Sequence, residues 1–139
     1  MNETGSVVVD TSALYALVSE QDRYHSLASA MYFEFLQTGR PLWVTSYVLV
    51  EFGAVTQRRL GFAPLVAFYR AIAGNISTIW MDKNRHEAAW AELKERDGTG
   101  LSLVDWSVVM AARDLNARVF TFDGGFSREG TPVLPEARG

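Results

Sequence analysis

Four acidic residues of this chain stand in apolar surroundings, where a carboxylate is costly to desolvate unless it is paired or bound to a cation. Asp10 and Asp123 each end an apolar run, and Glu51 and Asp105 each interrupt one. No lysine or arginine stands near Glu51 or Asp105 along the chain. Several unpaired carboxylates in one fold therefore indicate a shared divalent cation.

A site built from carboxylates offers only oxygen ligands, which suit Mg²⁺ or Mn²⁺ better than Zn²⁺. A cation of this kind polarises a phosphoryl group and generates hydroxide from bound water. The four acids therefore predict the hydrolysis of phosphodiester bonds.

Three of these acids also have a simpler structural explanation. Asp10 could cap the helix that follows it, and Ser102 and Asp105 have the spacing of a capping box. Asp123 precedes two glycines, a pattern typical of a turn. Glu51 has no such explanation, because nothing local accounts for an acid in the middle of that apolar run.

The elements that must position the acids alternate between strands and helices. We predict strands at residues 7–9, 42–45, 76–81, 118–122 and 132–134, and helices at residues 13–18, 23–37, 47–60, 62–73, 83–96 and 102–116. Ser46 and Asp82 are expected to cap the third and fifth helices. The expected buried face of the fifth helix consists of His86, Ala89, Trp90 and Leu93.

This alternation predicts an α/β fold, a three-layer α/β/α sandwich around a mostly parallel five-stranded sheet. Ligands bind at the carboxyl ends of parallel strands. Asp10 and Asp123 both follow strands and should lie at that edge. Asp105 should approach it from the first turn of one helix, and Glu51 from the second turn of another.

The composition is that of a soluble globular chain, and we expect a single domain over residues 1–139. The net charge of −3 argues against binding nucleic acid by bulk positive charge, although it does not exclude a nuclease. No apolar run is long enough to span a bilayer, and residues 1–5 lack the features of a signal peptide. With no cysteine for disulfides or thiolate ligands, we expect a cytoplasmic protein without a membrane partner.

Four further residues are candidates for supporting roles. Ser12 and Thr121 could hydrogen-bond a carboxylate or a metal-bound water, although Ser12 also suits a helix start and Thr121 a strand. Arg58 and Arg59 could contact RNA phosphates. Their position in the last turn of a helix would also complement its dipole.

The spaced acidic segments resemble the PIN domain, most closely the VapC-type ribonuclease toxins of toxin–antitoxin pairs. They are Val-Val-Val-Asp10-Thr-Ser-Ala-Leu, Glu51 within its apolar helix, Leu-Ser-Leu-Val-Asp105 and Thr-Phe-Asp123-Gly-Gly-Phe. The resemblance covers nearly the whole chain, from about residue 6 to residue 134.

The resemblance implies a Mg²⁺-dependent endoribonuclease, with Mn²⁺ as a substitute, whose products carry 5′-phosphate and 3′-hydroxyl ends. Asp10 and Asp105 would be the principal metal ligands. Glu51 and Asp123 would complete the site and orient the attacking water. The resemblance also implies an RNA substrate, a homodimer and a cognate antitoxin protein as the partner.

One alternative is a catalytically silent PIN-like module that only binds RNA or protein. Acids at all four places argue against it. A phosphatase with an aspartyl nucleophile would need a second Asp two residues after Asp10, where Ser12 stands.

Overall fold

Five short parallel strands form the central sheet of the computed structural model, which describes residues 5–136. They are β1 (Val7–Val9), β2 (Leu42–Thr45), β3 (Ser77–Ile79), β4 (Arg118–Phe120) and β5 (Val133–Leu134), in the order β3-β2-β1-β4-β5. β1 lies at the centre and pairs with both β2 and β4. Its three valines are buried, as expected of a strand covered on both faces.

Helices connect these strands. They are α1 (Thr11–Val18), α2 (His25–Gln37), α3 (Ser46–Leu60), α4 (Phe62–Ala71), α5 (Lys83–Glu95), α6 (Leu103–Leu115) and α7 (Gly125–Arg128), with a 3₁₀ turn at Ala73–Asn75. The short helix α7 was not predicted, and β3 and β4 are shorter than predicted. None of the helices within residues 5–136 has the length and apolar character needed to cross a membrane.

The chain adds β2 and then β3 on one side of β1, and it then crosses to the other side of β1 to add β4 and β5. With right-handed crossovers, this order places α1 to α4 on one face and α5 to α7 on the other. The predicted three-layer α/β/α fold is therefore confirmed, with a sheet whose strand pairs are all parallel. The strand order changes direction between β1 and β4, where open parallel sheets form their ligand crevice.

The start of α3 differs from the prediction. The cap is Thr45, whose hydroxyl accepts a hydrogen bond from the Val48 N–H at 3.2 Å, rather than Ser46. The Ser46 hydroxyl instead accepts a bond from the Met81 N–H at 2.9 Å, which ties α3 to the segment after β3. The predicted cap of α5 is confirmed, because Asp82 accepts a bond from the Arg85 N–H.

The predicted buried face of α5 is wrong at two positions. Ala89 is buried and Leu93 is partly buried, but His86 is exposed and Trp90 is 51% exposed. Because α5 packs chiefly against α6, it buries a narrower stripe than a helix laid directly on a sheet. His86 lies at the margin of this stripe, where its Nδ1 bonds the Tyr47 hydroxyl.

Candidate active site

The four acids singled out in the sequence line one cavity of about 390 Å³ at the carboxyl edge of the sheet. Asp10 directly follows β1, and Asp123 lies three residues beyond the end of β4. Glu51 projects from the second turn of α3, and Asp105 from the first turn of α6. The structure therefore brings together side chains that four separate elements carry.

Asp10 is the most deeply buried of the four, with an exposed fraction of 3%. Its Oδ2 accepts hydrogen bonds from the Thr121 hydroxyl at 2.8 Å and from the Ser12 hydroxyl at 3.0 Å. Although Asp10 occupies the N-cap position of α1, its carboxylate makes no capping hydrogen bond. The simple capping explanation therefore does not account for this side chain.

Burial raises the pKa of Asp10 from 3.8 to about 6. The hydrogen bonds from Thr121 and Ser12 lower that pKa, and the negative charge of Asp105 raises it. Water therefore stabilises the charged form of Asp10 less than it would at the surface. A cation at this position would supply the missing stabilisation.

Asp105 both caps a helix and lines the cavity. Its Oδ2 accepts a hydrogen bond from the Ser102 N–H at 3.0 Å, and its own N–H donates to the Ser102 hydroxyl at 3.1 Å, so the capping box is present. Burial raises the pKa of Asp105, the bonds with Ser102 lower it, and the charges of Asp123 and Glu51 raise it. Asp105 is therefore electrostatically coupled to the other acids.

The other two acids are held by hydrogen bonds from their surroundings. The Thr11 hydroxyl donates to Oε1 of Glu51 at 2.7 Å, which links the start of α1 to α3. Oδ1 of Asp123 accepts a bond from the Gly125 N–H at 2.9 Å, so the turn explanation of Asp123 also holds. The hydroxyl of Thr121 accepts from the Asp123 N–H at 2.9 Å while it donates to Asp10.

The donor set fits a hard divalent cation, because carboxylate oxygens surround a cavity with a surplus of negative charge. As the side chains stand, no three acidic or histidine groups within residues 5–136 are arranged closely enough to hold one ion. The hydrogen bonds just described hold the carboxylates in their present orientations. Several of these carboxylates would have to move closer together to share one ion.

Two other candidates from the sequence, Ser12 and Arg59, also line the cavity. The rest of the lining was not predicted and consists of Thr11, Tyr15, Asp22, Tyr24, Val55 and Phe122. Of the two candidate arginines, Arg59 lines the cavity and lies over the Tyr15 ring, 5.6 Å from its centroid. Arg58 is exposed and is not part of this lining.

Comparison with known proteins identifies a family and a set of similar folds. The family model of the PIN domain matches residues 7–130. The crystal structure of VapC20 from Mycobacterium tuberculosis, described as a sarcin-ricin loop cleaving toxin, is 25% identical with a TM-score of 0.78, and the match covers 91% of this chain and 96% of that one. No curated protein sequence matches the chain.

Two more distant structures share the fold alone. A toxin–antitoxin complex from Klebsiella pneumoniae is 17% identical with a TM-score of 0.68, covering 96% of this chain and 100% of that one. DNA-bound VapBC from Salmonella typhimurium is 17% identical with a TM-score of 0.64, covering 93% and 96%.

Proposed function

The chain belongs to the PIN domain family, and from this premise we propose that it is a Mg²⁺-dependent endoribonuclease, the toxin of a VapBC-type toxin–antitoxin pair. The observation that carries the proposal is the convergence of Asp10, Glu51, Asp105 and Asp123 on one cavity. The similarity to VapC20, a toxin described as cleaving the sarcin-ricin loop, supports RNA as the substrate.

In this proposal, Asp10 and Asp105 are the principal ligands of the cation. Asp10 is held by two hydroxyl groups, and Asp105 is held by the start of α6. When bound, the divalent cation polarises a phosphate oxygen and lowers the pKa of water. Mn²⁺ would substitute for Mg²⁺, because both accept oxygen ligands.

Glu51 and Asp123 orient the water that attacks the phosphorus atom. Thr11 holds Glu51 through one carboxylate oxygen, so the group keeps a fixed direction at the rim of the cavity. Attack in line with the departing 3′ oxygen breaks the bond between phosphorus and that oxygen. The products then carry a 5′-phosphate and a 3′-hydroxyl end.

In this proposal, Arg59 binds a phosphate of the RNA, whereas Arg58 only complements the dipole at the C-terminal end of α3. Among the described residues that line the cavity, Arg59 is the only cationic one. Arg59→Ala should therefore weaken RNA cleavage, mainly through KM, and Arg58→Ala serves as the matched control on the same helix turn. Equal effects of the two substitutions would contradict this assignment.

The proposal extends to partners and location. The toxin–antitoxin complexes of the same fold support a cognate antitoxin protein as a partner, and a homodimer in the cytoplasm remains our prediction. Size-exclusion chromatography with light scattering, at several concentrations of the purified chain, measures the oligomeric state.

The decisive experiment is RNA cleavage by the purified chain with Mg²⁺ or Mn²⁺, with EDTA, and with Asp10→Asn. We expect cutting that chelation and Asp10→Asn both abolish, while Asp114→Asn, an exposed acid on α6, cuts like the wild type. Cleavage that persists in EDTA would overturn the metal mechanism. Tight binding of RNA without any cutting would favour the catalytically silent module instead.

A further inference from the structure

One wall of the acidic cavity is aromatic. The rings of Tyr24 and Phe122 both line the cavity and are stacked, with centroids 4.5 Å apart and planes inclined by 5°. Tyr24 stands at the start of α2, and Phe122 immediately precedes Asp123. The aromatic wall, as we call this pair, therefore lies beside the acids on which the proposed function depends.

Hydrogen bonds hold the backbone of both residues, and ring contacts hold their side chains. The Tyr24 N–H donates to Oδ1 of Asp22 at 2.8 Å, and the Phe122 N–H donates to the Ser12 hydroxyl at 2.9 Å. The Phe122 ring also meets the Phe120 ring edge to face, with centroids 5.7 Å apart. Because the wall is already ordered, a ligand that packs against it does not lose affinity in ordering these side chains.

The negative charge of the cavity favours binding RNA through its bases. The described lining holds five carboxylates, those of the four acids and of Asp22, but one guanidinium, that of Arg59. A phosphodiester entering this cavity is therefore repelled rather than attracted until a cation is bound. Aromatic rings bind nucleobases by stacking, which is independent of the phosphate charge.

The Tyr24 ring also makes a cation–π contact with an arginine. The guanidinium of Arg23 lies 4.9 Å from the ring centroid. Stacked bases in single-strand binding sites are held both by aromatic rings and by arginine. Arg23 is exposed, so its side chain can leave the Tyr24 ring face and contact a nucleotide that reaches the wall.

We infer that Tyr24 and Phe122 form a nucleobase subsite, against which the base next to the scissile phosphate packs. The inference rests on the proposed nuclease function and adds a requirement to it. The nucleotide at the cut must be unpaired or must leave its stack, because a base inside a helix cannot present its face to a protein ring. The wall contributes to binding the substrate, and the acids carry out the reaction.

The first test is cleavage of a short single-stranded RNA by Tyr24→Leu and Phe122→Leu, which keep an apolar side chain but remove the ring. We expect kcat/KM to fall about 5- to 150-fold, mostly through KM, the range for one stacked base. Tyr69→Leu, which removes an exposed ring on α4, should cut like the wild type. Tyr24→Phe, which keeps the ring, should lose much less activity than Tyr24→Leu. Unfolding curves establish that all variants are folded at the assay temperature.

The second test removes the base instead of the ring. RNA with an abasic nucleotide next to the cut should be a poorer substrate for the wild type by the same factor. Tyr24→Leu should lose nothing further on this RNA, because the ring and the base act on each other. An equal loss by Tyr24→Leu on normal and abasic RNA would show that the ring has only a structural role and would overturn the inference.

A binding test separates this inference from the proposed function. Asp10→Asn protein, which should not cut, is mixed with RNA that carries the fluorescent base 2-aminopurine at successive positions. Quenching at one position, lost in the double variant with Tyr24→Leu, supports the subsite even if no RNA is cleaved by the wild type. Binding with no quenching at any position would overturn the subsite, whether or not the wild type is a nuclease.

Discussion

Replacing Asp10 with Asn should stabilise the metal-free protein while it abolishes cleavage. The carboxylate is 3% exposed, and burial raises its pKa from 3.8 to about 6. A shift of about two pKa units corresponds to about 3 kcal/mol between the charged and neutral forms. The amide group of Asn needs an acceptor that a carboxylate does not, which offsets part of this gain, so we expect about 2 kcal/mol.

The gain should depend on pH. Because the folded protein holds the Asp10 proton more tightly than the unfolded chain does, the stability of the wild type falls as the pH rises from about 4 to about 6. The penalty is then constant at higher pH. The difference between Asp10→Asn and the wild type should therefore be small near pH 4 and reach its full value near pH 7.5.

Urea unfolding in EDTA at a series of pH values measures this difference. In thermal unfolding of a domain of this size, the same difference of about 2 kcal/mol corresponds to a shift of roughly 5–10 °C in Tm. Asp114→Asn, on the exposed side of α6, is the matched control and should show no such pH-dependent gain. A difference between Asp10→Asn and the wild type that stays constant with pH would refute the reasoning, and so would a variant less stable than the wild type at pH 7.5.

Adding Mg²⁺ or Mn²⁺ tests whether the Asp10 carboxylate binds a cation. A cation that binds the folded state alone raises its stability by mass action. We expect it to raise the Tm of the wild type and to leave that of Asp10→Asn nearly unchanged. This readout does not require an RNA substrate.

Two further substitutions test how the neighbours of the acids hold them. Thr11→Val removes the hydroxyl that bonds Glu51; we expect a roughly 10- to 100-fold loss in cleavage or in metal affinity, measured by titrating Mn²⁺, while Thr11→Ser retains most of the activity. Gly125→Ala places a methyl group 3.0 Å from Cδ2 of Leu101 and 3.3 Å from Oδ1 of Asp123, so both neighbours must give way; cleavage should fall several-fold in a steady-state assay, whereas Gly124→Ala, whose added methyl meets only a flexible arginine side chain, should have little effect.

The convergence of the acids was predictable because it follows from the sheet. Asp10 and Asp123 both follow strands, and parallel strands end at one edge. Glu51 and Asp105 were recognisable because an acid interrupts an apolar run there. The fold class was also predictable, because strands and helices alternate along the chain.

The rest depends on contacts between residues distant along the chain. Tyr24 and Phe122 stack only because α2 begins beside the end of β4, and neither residue carries a local pattern that reveals this. The exposure of Trp90 was missed for a similar reason. The spacing of apolar residues on a helix shows which residues share a face, but it does not show how wide a surface the neighbouring helix α6 covers.

The hydrogen bond from Thr121 to Asp10 joins residues that lie 111 positions apart. During synthesis, the strand that carries Asp10 emerges first and can pair with β2 long before β4 exists. A growing chain that has not yet reached Thr121 and Asp123 therefore lacks both the hydroxyl that steadies the central carboxylate and one of the four acids. The site can therefore be complete only after the chain has been translated past Asp123.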